Sequence, residues 1–181
     1  MIPISTYGAS KLAGETLIAS YAYMFDMKGT AFRFGNVVGP RQTHGVGYDF
    51  ARRLVKDPSQ LEILGDGNQS KSYIHVSDVV NAVLSAGEAQ VDFFDAFNIA
   101  TGDYITVREI AELSIKAVGI PAGDTQLVFT GGDRGWKGDV PVIRLNTEKI
   151  RKLGWKNKMN CAEAISASLE SMIADHRVIE S

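Results

Sequence analysis

Tyr7 and Lys11 stand four residues apart in the stretch TYGASKLAGE, residues 6–15. On a helix that spacing puts both side chains on one face. A phenol is protonated at neutral pH, and an ammonium beside it favours the phenolate. Such a pair can take the proton of an alcohol while hydride leaves the same carbon. Tyr-x-x-x-Lys is also a short pattern that arises by chance, so the spacing alone leaves an ordinary helix surface open as a reading.

Three further stretches carry residues suited to holding a ligand. In RFGNVVGPRQ, residues 33–42, Arg33 sits in a strand-like apolar run. It is either paired or aimed at a ligand, because an unpaired buried charge is costly. Gly35 and Gly39 permit close approach of the backbone, and Asn36 offers an amide donor to an anion or a carbonyl. The alternative is a strand ending in a Gly/Pro turn. In GDGNQSKSYIHVSD, residues 65–78, Gly, Asp and Asn make a turn, and the spacing of Lys71 and His75 predicts one face of a strand. Lys71 there is suited to a phosphate. His75 reads as a structural hydrogen-bonding residue rather than a metal ligand, since the three histidines lie far apart and show no metal-ligand spacing. GGDRGWKGDVP, residues 131–141, combines four glycines with Arg134, Trp136 and Lys137. It is either a cationic loop able to close on a phosphorylated ligand or a solvated glycine-rich surface loop.

The elements that must position these residues alternate between helix and strand, which predicts an α/β protein. A helix runs from about Gly8 to Phe25 and carries the Tyr–Lys pair; TAFRF, residues 30–34, is a short buried strand, and GNVVGPRQTHGVG is an irregular loop. Further helices are expected over about Tyr48–Lys56, Ser77–Glu88 with Ser77 as N-cap, Thr106–Val118, Thr147–Leu153 and Cys161–Arg177. Thr106 with Glu109, and Asn160 with Glu163, have the spacing of capping boxes. Strands are expected near Leu61–Leu64, Ser72–Val76, Ala96–Ala100, Gln126–Phe129 and Val142–Leu145.

The 181 residues suffice for one domain of ordinary size, and the formal charge is only −2 with scattered Lys and Arg. That balance argues against a nucleic-acid or anionic-membrane surface. The single cysteine, Cys161, permits no internal disulfide and fits a reducing cytoplasm. No apolar run approaches the ~20 residues of a membrane span, and the N-terminal residues do not read as a signal peptide.

In order, YGASK, RFGNVVGPRQ, ILGDGNQSKSYIHVSDVV and GDRGWKGDVP followed by LNTEKIRKLGW resemble the C-terminal half of the extended short-chain dehydrogenase/reductase family. The likeness is to its nucleotide-sugar 4-epimerases of the UDP-glucose type, and it covers nearly the whole chain. It implies NAD as cofactor and a nucleotide-diphosphate sugar as substrate. Tyr7 matches the catalytic tyrosine, and Lys11 the lysine that binds the nicotinamide ribose and promotes the tyrosinate. Phe34 and Gly35 fall where the backbone passes the nicotinamide, and Asn36 matches the asparagine on the substrate diphosphate. Lys71 stands where the family usually has an arginine on that diphosphate; Arg134 and Asp139 fall in the loop that closes over the nucleotide. The 39–46 stretch resembles epimerases more than the 4,6-dehydratases of the same family.

In that family the first half of the chain holds a glycine-rich G-x-x-G-x-x-G turn that seats the pyrophosphate on a helix N-terminus. Here GDG and GGDRG follow the substrate segments and open no helix. The resemblance therefore implies a partial Rossmann-like parallel sheet, residues 1–45 with about 77–100 returning to it, and a smaller α/β substrate-binding domain mainly over 46–181. It also implies a split-gene product or a gene model begun at an internal methionine, inactive without the missing half. The first helix and TAFRF should expose apolar surface, covered by a separate chain or by a homodimer through helix 8–25. The competing expectations are a non-catalytic nucleotide-sugar-binding or interaction module, or a fragment of a nucleotide-sugar 4,6-dehydratase/reductase.

Overall fold

In the computed structural model, residues 2–3, 5–89, 92–132 and 144–175 are described. Helix α1 spans Thr6–Met24 and is capped by Ser5, whose Oγ accepts the Gly8 N–H at 3.0 Å. Strands β1, Gly29–Phe34, and β2, Asn36–Val38, follow, then α2, Val46–Lys56, and β3, Gln60–Ile63. Next come β4, Ser70–Lys71, β5, Tyr73–His75, and α3, Val76–Ala89. The remaining elements are β6, Phe94–Ile99; β7, Ile105–Thr106; α4, Val107–Val118; β8, Gln126–Phe129; α5, Glu148–Lys152; and α6, Cys161–Ala174.

The strands form four two-stranded sheets among the described residues, three parallel and one antiparallel. β1 runs parallel to β6 in the register Gly29↔Phe94 to Phe34↔Ile99. β2 pairs with β5, β3 with β8, and β4 with β7 in the antiparallel sense. The fold is α/β with short parallel sheets, as expected. Parallel pairs need a crossover, and α3 lies in the long connection that carries the chain from β1 back to β6.

Two apolar clusters hold these elements. In the larger, α2, α4 and α6 bury Phe50, Leu54, Ile110, Ile165 and Leu169 against Leu61 and Ile63 of β3. In the smaller, Val79, Ala82 and Ala86 of α3 pack with Phe97 and Ile99 of β6, Ile150 of α5 and Trp155. Trp155 Nε1 donates to the Asp78 carbonyl at 3.2 Å. The buried Asp78 carboxylate accepts the N–H groups of Lys158 and Met159, at 3.0 and 3.2 Å, which ties the 155–160 segment to α3.

Both capping boxes form, each with its side-chain and carboxylate bonds in place. Several expectations are corrected. Residues 36–38 are not loop but strand, because β5 lies beside them to accept pairing. The strand expected over Ser72–Val76 is broken at Ser72. Lys71 therefore pairs with β7 while His75 pairs with β2, and the two do not share one strand. Ser77 is not the N-cap of α3: the helix starts at Val76, directly after β5, and His75 Nδ1 accepts the Ser77 N–H at 3.3 Å and lies 2.7 Å from its hydroxyl. This is the structural hydrogen-bonding role expected of His75. Of the strand expected over Val142–Leu145, residues 142–143 lie outside the described residues, and 144–145 carry no strand.

Candidate active-site cleft

The Ser5 cap starts α1 immediately before Tyr7, so Tyr7 stands in the first turn and Lys11 one turn on. Lys11 Nζ lies 5.3 Å from the centroid of the Tyr7 ring. The Tyr7 side chain is open to solvent, at 71% exposure, and both residues line a cleft of about 1530 Å³. Glu15 continues the same helix face. It takes the Arg33 guanidinium in a two-point pair: Nε donates to Oε2 at 2.9 Å, and a second nitrogen donates to Oε1. Arg33 is thus paired rather than aimed at a ligand. That hydrogen-bonded carboxylate raises its pKa against the opposing effect of burial.

Where β1 ends, Phe34 leaves its ring 44% exposed on the cleft wall, stacked on Phe32 at 6.1 Å between centroids. Gly35 donates its N–H to the Ile99 carbonyl at 2.9 Å, and Asn36 then pairs with Ser72, so the chain passes from one sheet to the next at Gly35. A Cβ built there meets no atom closer than 3.4 Å. At Gly39 a Cβ would lie 2.7 Å from Val76 Cγ1. The close approach that Gly39 permits is therefore to α3, within the protein itself.

Asn36 faces the cleft with its Nδ2 donating to the Ser72 carbonyl at 3.2 Å. Lys71, half-buried on β4, and Tyr73 on β5 line the same wall. The N-terminus of α2 opens on the cleft through Gly45, Val46 and Gly47. Its cap is Gly45, at φ 100°, and no side chain caps its first N–H groups. Such an end attracts anions, although Asp49 stands in its first turn. Arg134 and Asp139 lie outside the described residues.

The structure thus gathers Tyr7, Lys11, Phe34, Gly35, Asn36 and Lys71 around one cleft. Sequence reasoning missed Glu15, the α2 terminus and Gln69. The Gly45-x-Gly47 pair at the start of an amphipathic helix was a readable signal for the second. Gln69 is buried on the cleft wall; its Nε2 donates to the Leu64 carbonyl at 3.2 Å, and its Oε1 finds no partner among the described residues. Gly65 sits at φ +85°, which favours glycine, and a Cβ there would displace the Gln69 amide. Among the described residues no group of three or more His, Cys, Asp or Glu could hold a metal, and no helix is long and apolar enough to cross a membrane.

A helix beside a parallel strand pair thus presents a Tyr–Lys pair to a cleft within an α/β fold. Residues 1–100 match the model of the NAD dependent epimerase/dehydratase family, and the chain belongs to that family. It is 30% identical over 97% of its length to a putative UDP-glucose 4-epimerase of Methanocaldococcus jannaschii, of which it covers 55%. It superposes with a TM-score of 0.84 on a crystal structure of a UDP-galactose 4-epimerase, at 37% identity over 97% of this chain and 56% of that one. A UDP-glucose 4-epimerase from Thermotoga maritima, solved with UDP-glucose, gives 0.82 at 31% identity, over 96% of this chain and 55% of that one. The chain spans about half the length of the relatives it matches.

The described residues fit one end of NAD. The exposed Tyr7–Lys11 pair on the cleft offers a phenol and an ammonium of the kind that suits a nicotinamide ribose. The G-x-x-G-x-x-G spacing occurs only at Gly132, Gly135 and Gly138, after β8 rather than after a first strand, and residues 133–143 lie outside the described set. No described turn fits the pyrophosphate as that motif would.

Proposed function

We propose that the chain carries the catalytic helix and substrate cleft of an NAD-dependent nucleotide-sugar 4-epimerase of the UDP-glucose/UDP-galactose type. The observation that carries this reading is that the Tyr7–Lys11 pair lines one cleft together with Lys71 and the end of α2, which no side chain caps. Tyr7 and Lys11 would hold the nicotinamide ribose end of NAD, with Phe34 and Gly35 beside it. When bound, NAD supplies a hydride acceptor and donor at the sugar C4. Tyr7 Oη takes the proton of the 4-hydroxyl as C4 is oxidised and returns it to the same oxygen as C4 is reduced. Lys11 stabilises the phenolate. Asn36, Lys71 and the α2 terminus hold the diphosphate while the sugar turns.

In this reading residues 1–45, with about 77–100, form the cofactor-side unit, and 46–181 mainly form the substrate-binding unit. The two apolar clusters support such a division in the main, with Ile74, Ile150 and Trp155 packing on the cofactor side and Val38 on the substrate side. Turnover requires the remaining part of the relatives' length. Calorimetric titration of the chain with UDP-glucose and, separately, with NAD tests the proposal. Binding of UDP-glucose with little or no binding of NAD is the expected outcome. Failure of UDP-glucose to bind a folded chain would overturn it.

A further inference from the structure

Lys11 has two candidate partners on its own helix, one turn away on either side: the Tyr7 ring and the Glu15 carboxylate. A lysine–glutamate pair at this spacing and a cation over an exposed aromatic ring are of similar, modest strength. Only the second serves the chemistry proposed for Tyr7. The Glu15 side chain is the more covered of its ion pair, at 17% exposure against 37% for Arg33. A carboxylate that enclosed needs a cation, and without Arg33 the nearest one on its own helix face is Lys11.

Arg33 reaches Glu15 from β1, 18 residues further along the chain, and meets both carboxylate oxygens with its planar fork. We propose that Arg33 is a positioning residue: by occupying both oxygens of Glu15 it keeps the Lys11 ammonium on Tyr7. The elements packed against α1 offer no second claimant among the described charged groups. Arg33 on β1 is engaged by Glu15, and Asp95 on β6 is engaged by Lys149. The same pair fixes the helix on the strand that ends in Phe34, so one contact sets both the Lys11 rotamer and the distance from Tyr7 to the cleft wall. The functional consequence rests on the reading of Tyr7 and Lys11 as the reacting pair; the arrangement itself rests on the geometry.

The test uses the 181-residue chain at a dilution where sedimentation shows a folded monomer, with its lysines reductively methylated by ¹³C-formaldehyde, which keeps their charge. The Lys11 signal is assigned with Lys11→Arg, and the Tyr7 ring protons with Tyr7→Phe. The wild type is expected to show an upfield ring-current shift of the Lys11 methyls and a nuclear Overhauser contact to the Tyr7 ring. Arg33→Met should lose about half or more of that contact. Glu15→Gln and the double variant Glu15→Gln/Arg33→Met should keep it, because the competing carboxylate is gone. A wild-type level of contact in Arg33→Met, its loss in the double variant, or its absence from the wild type would each overturn the proposal. Should Arg33→Met fail to fold, Arg33→Lys carries the comparison and must show an intermediate loss. Neither nucleotide sugar nor NAD enters the measurement, so a chain that binds no UDP-glucose yet shows this pattern would sink the functional reading and leave the positioning role standing.

Discussion

Lys71 meets an anion as a point charge, where a guanidinium would meet it as a fork. It lines the cleft on β4, one residue before the Ser72 carbonyl that both Asn36 donors use. Lys71→Arg is therefore expected to tighten UDP-glucose binding several-fold, and Lys71→Met to weaken it about tenfold, the scale of one charge-assisted hydrogen bond. Calorimetry on the three proteins decides; equal affinities would move the diphosphate away from β4. Asp103 gives a second residue-scale expectation. Burial pushes its carboxyl up, but hydrogen bonds from Thr101 and the Cys161 N–H, the latter at 2.9 Å, outweigh this and hold it below the usual carboxylate range. A depressed carboxyl adds stability that is fully present above its unfolded value and is lost as pH falls through the folded one. Melting curves of wild type and Asp103→Asn should thus differ most near neutral pH and converge as the pH drops below about 4. A gap that stays constant across this range would refute the assignment.

At the scale of elements, two glycines near the cleft make opposite demands. A methyl group at Gly39 would collide with Val76 of α3 at 2.7 Å, whereas at Gly35 it meets only ordinary contacts. Gly39→Ala should cost about 1–3 kcal/mol in denaturant titrations, as overpacking does, while Gly35→Ala should leave the midpoint nearly unchanged. If Gly35→Ala proved the more destabilising, the packing contrast between the two glycines would be refuted. The contrast was not readable from RFGNVVGPRQ, because both glycines look alike until α3 is packed beside one of them. Elements written in local code were legible: the capping boxes at Thr106 and Asn160 start α4 and α6 where the side-chain spacing requires. Tyr7 and Lys11 were legible for the same reason, being one turn apart. β2 was not, since three residues become a strand only when β5 arrives from 37 residues away in register. The Arg33–Glu15 pair and the seat of Gln69 under Gly65 likewise join residues whose meeting no local pattern announces.

At the scale of the whole molecule, α1 poses a problem of solvent. In a helix of 19 residues only Ala22 is buried, while Leu17, Ile18, Tyr21, Tyr23, Met24 and the C-capping Phe25 all stand exposed. Its apolar residues are spread around the axis instead of gathered on one stripe, the pattern of a helix enclosed on several sides. Met27 and Phe93 extend the patch at the start of the β1–β6 pair, and an apolar hollow of about 410 Å³ lies between Leu17, Tyr21 and Met27. A two-stranded parallel sheet with so little cover is itself unusual, since parallel sheets are normally enclosed on both faces. An exposed surface of this kind marks an interface or an aggregation hazard. The relatives carry nearly as much chain again as they share with this one, and that additional part is the natural candidate to cover the patch. The 181 residues expressed alone are therefore expected to bind a hydrophobic dye strongly, to self-associate and to melt with weak cooperativity. Adding the polypeptide that corresponds to the relatives' remaining half should suppress the dye signal and raise Tm by several degrees, since one or two kcal/mol of interface stabilisation suffices for that. A sharp, concentration-independent melt of the lone chain with no dye binding would show that α1 is stable as it stands, and would remove the physical case for a covering partner.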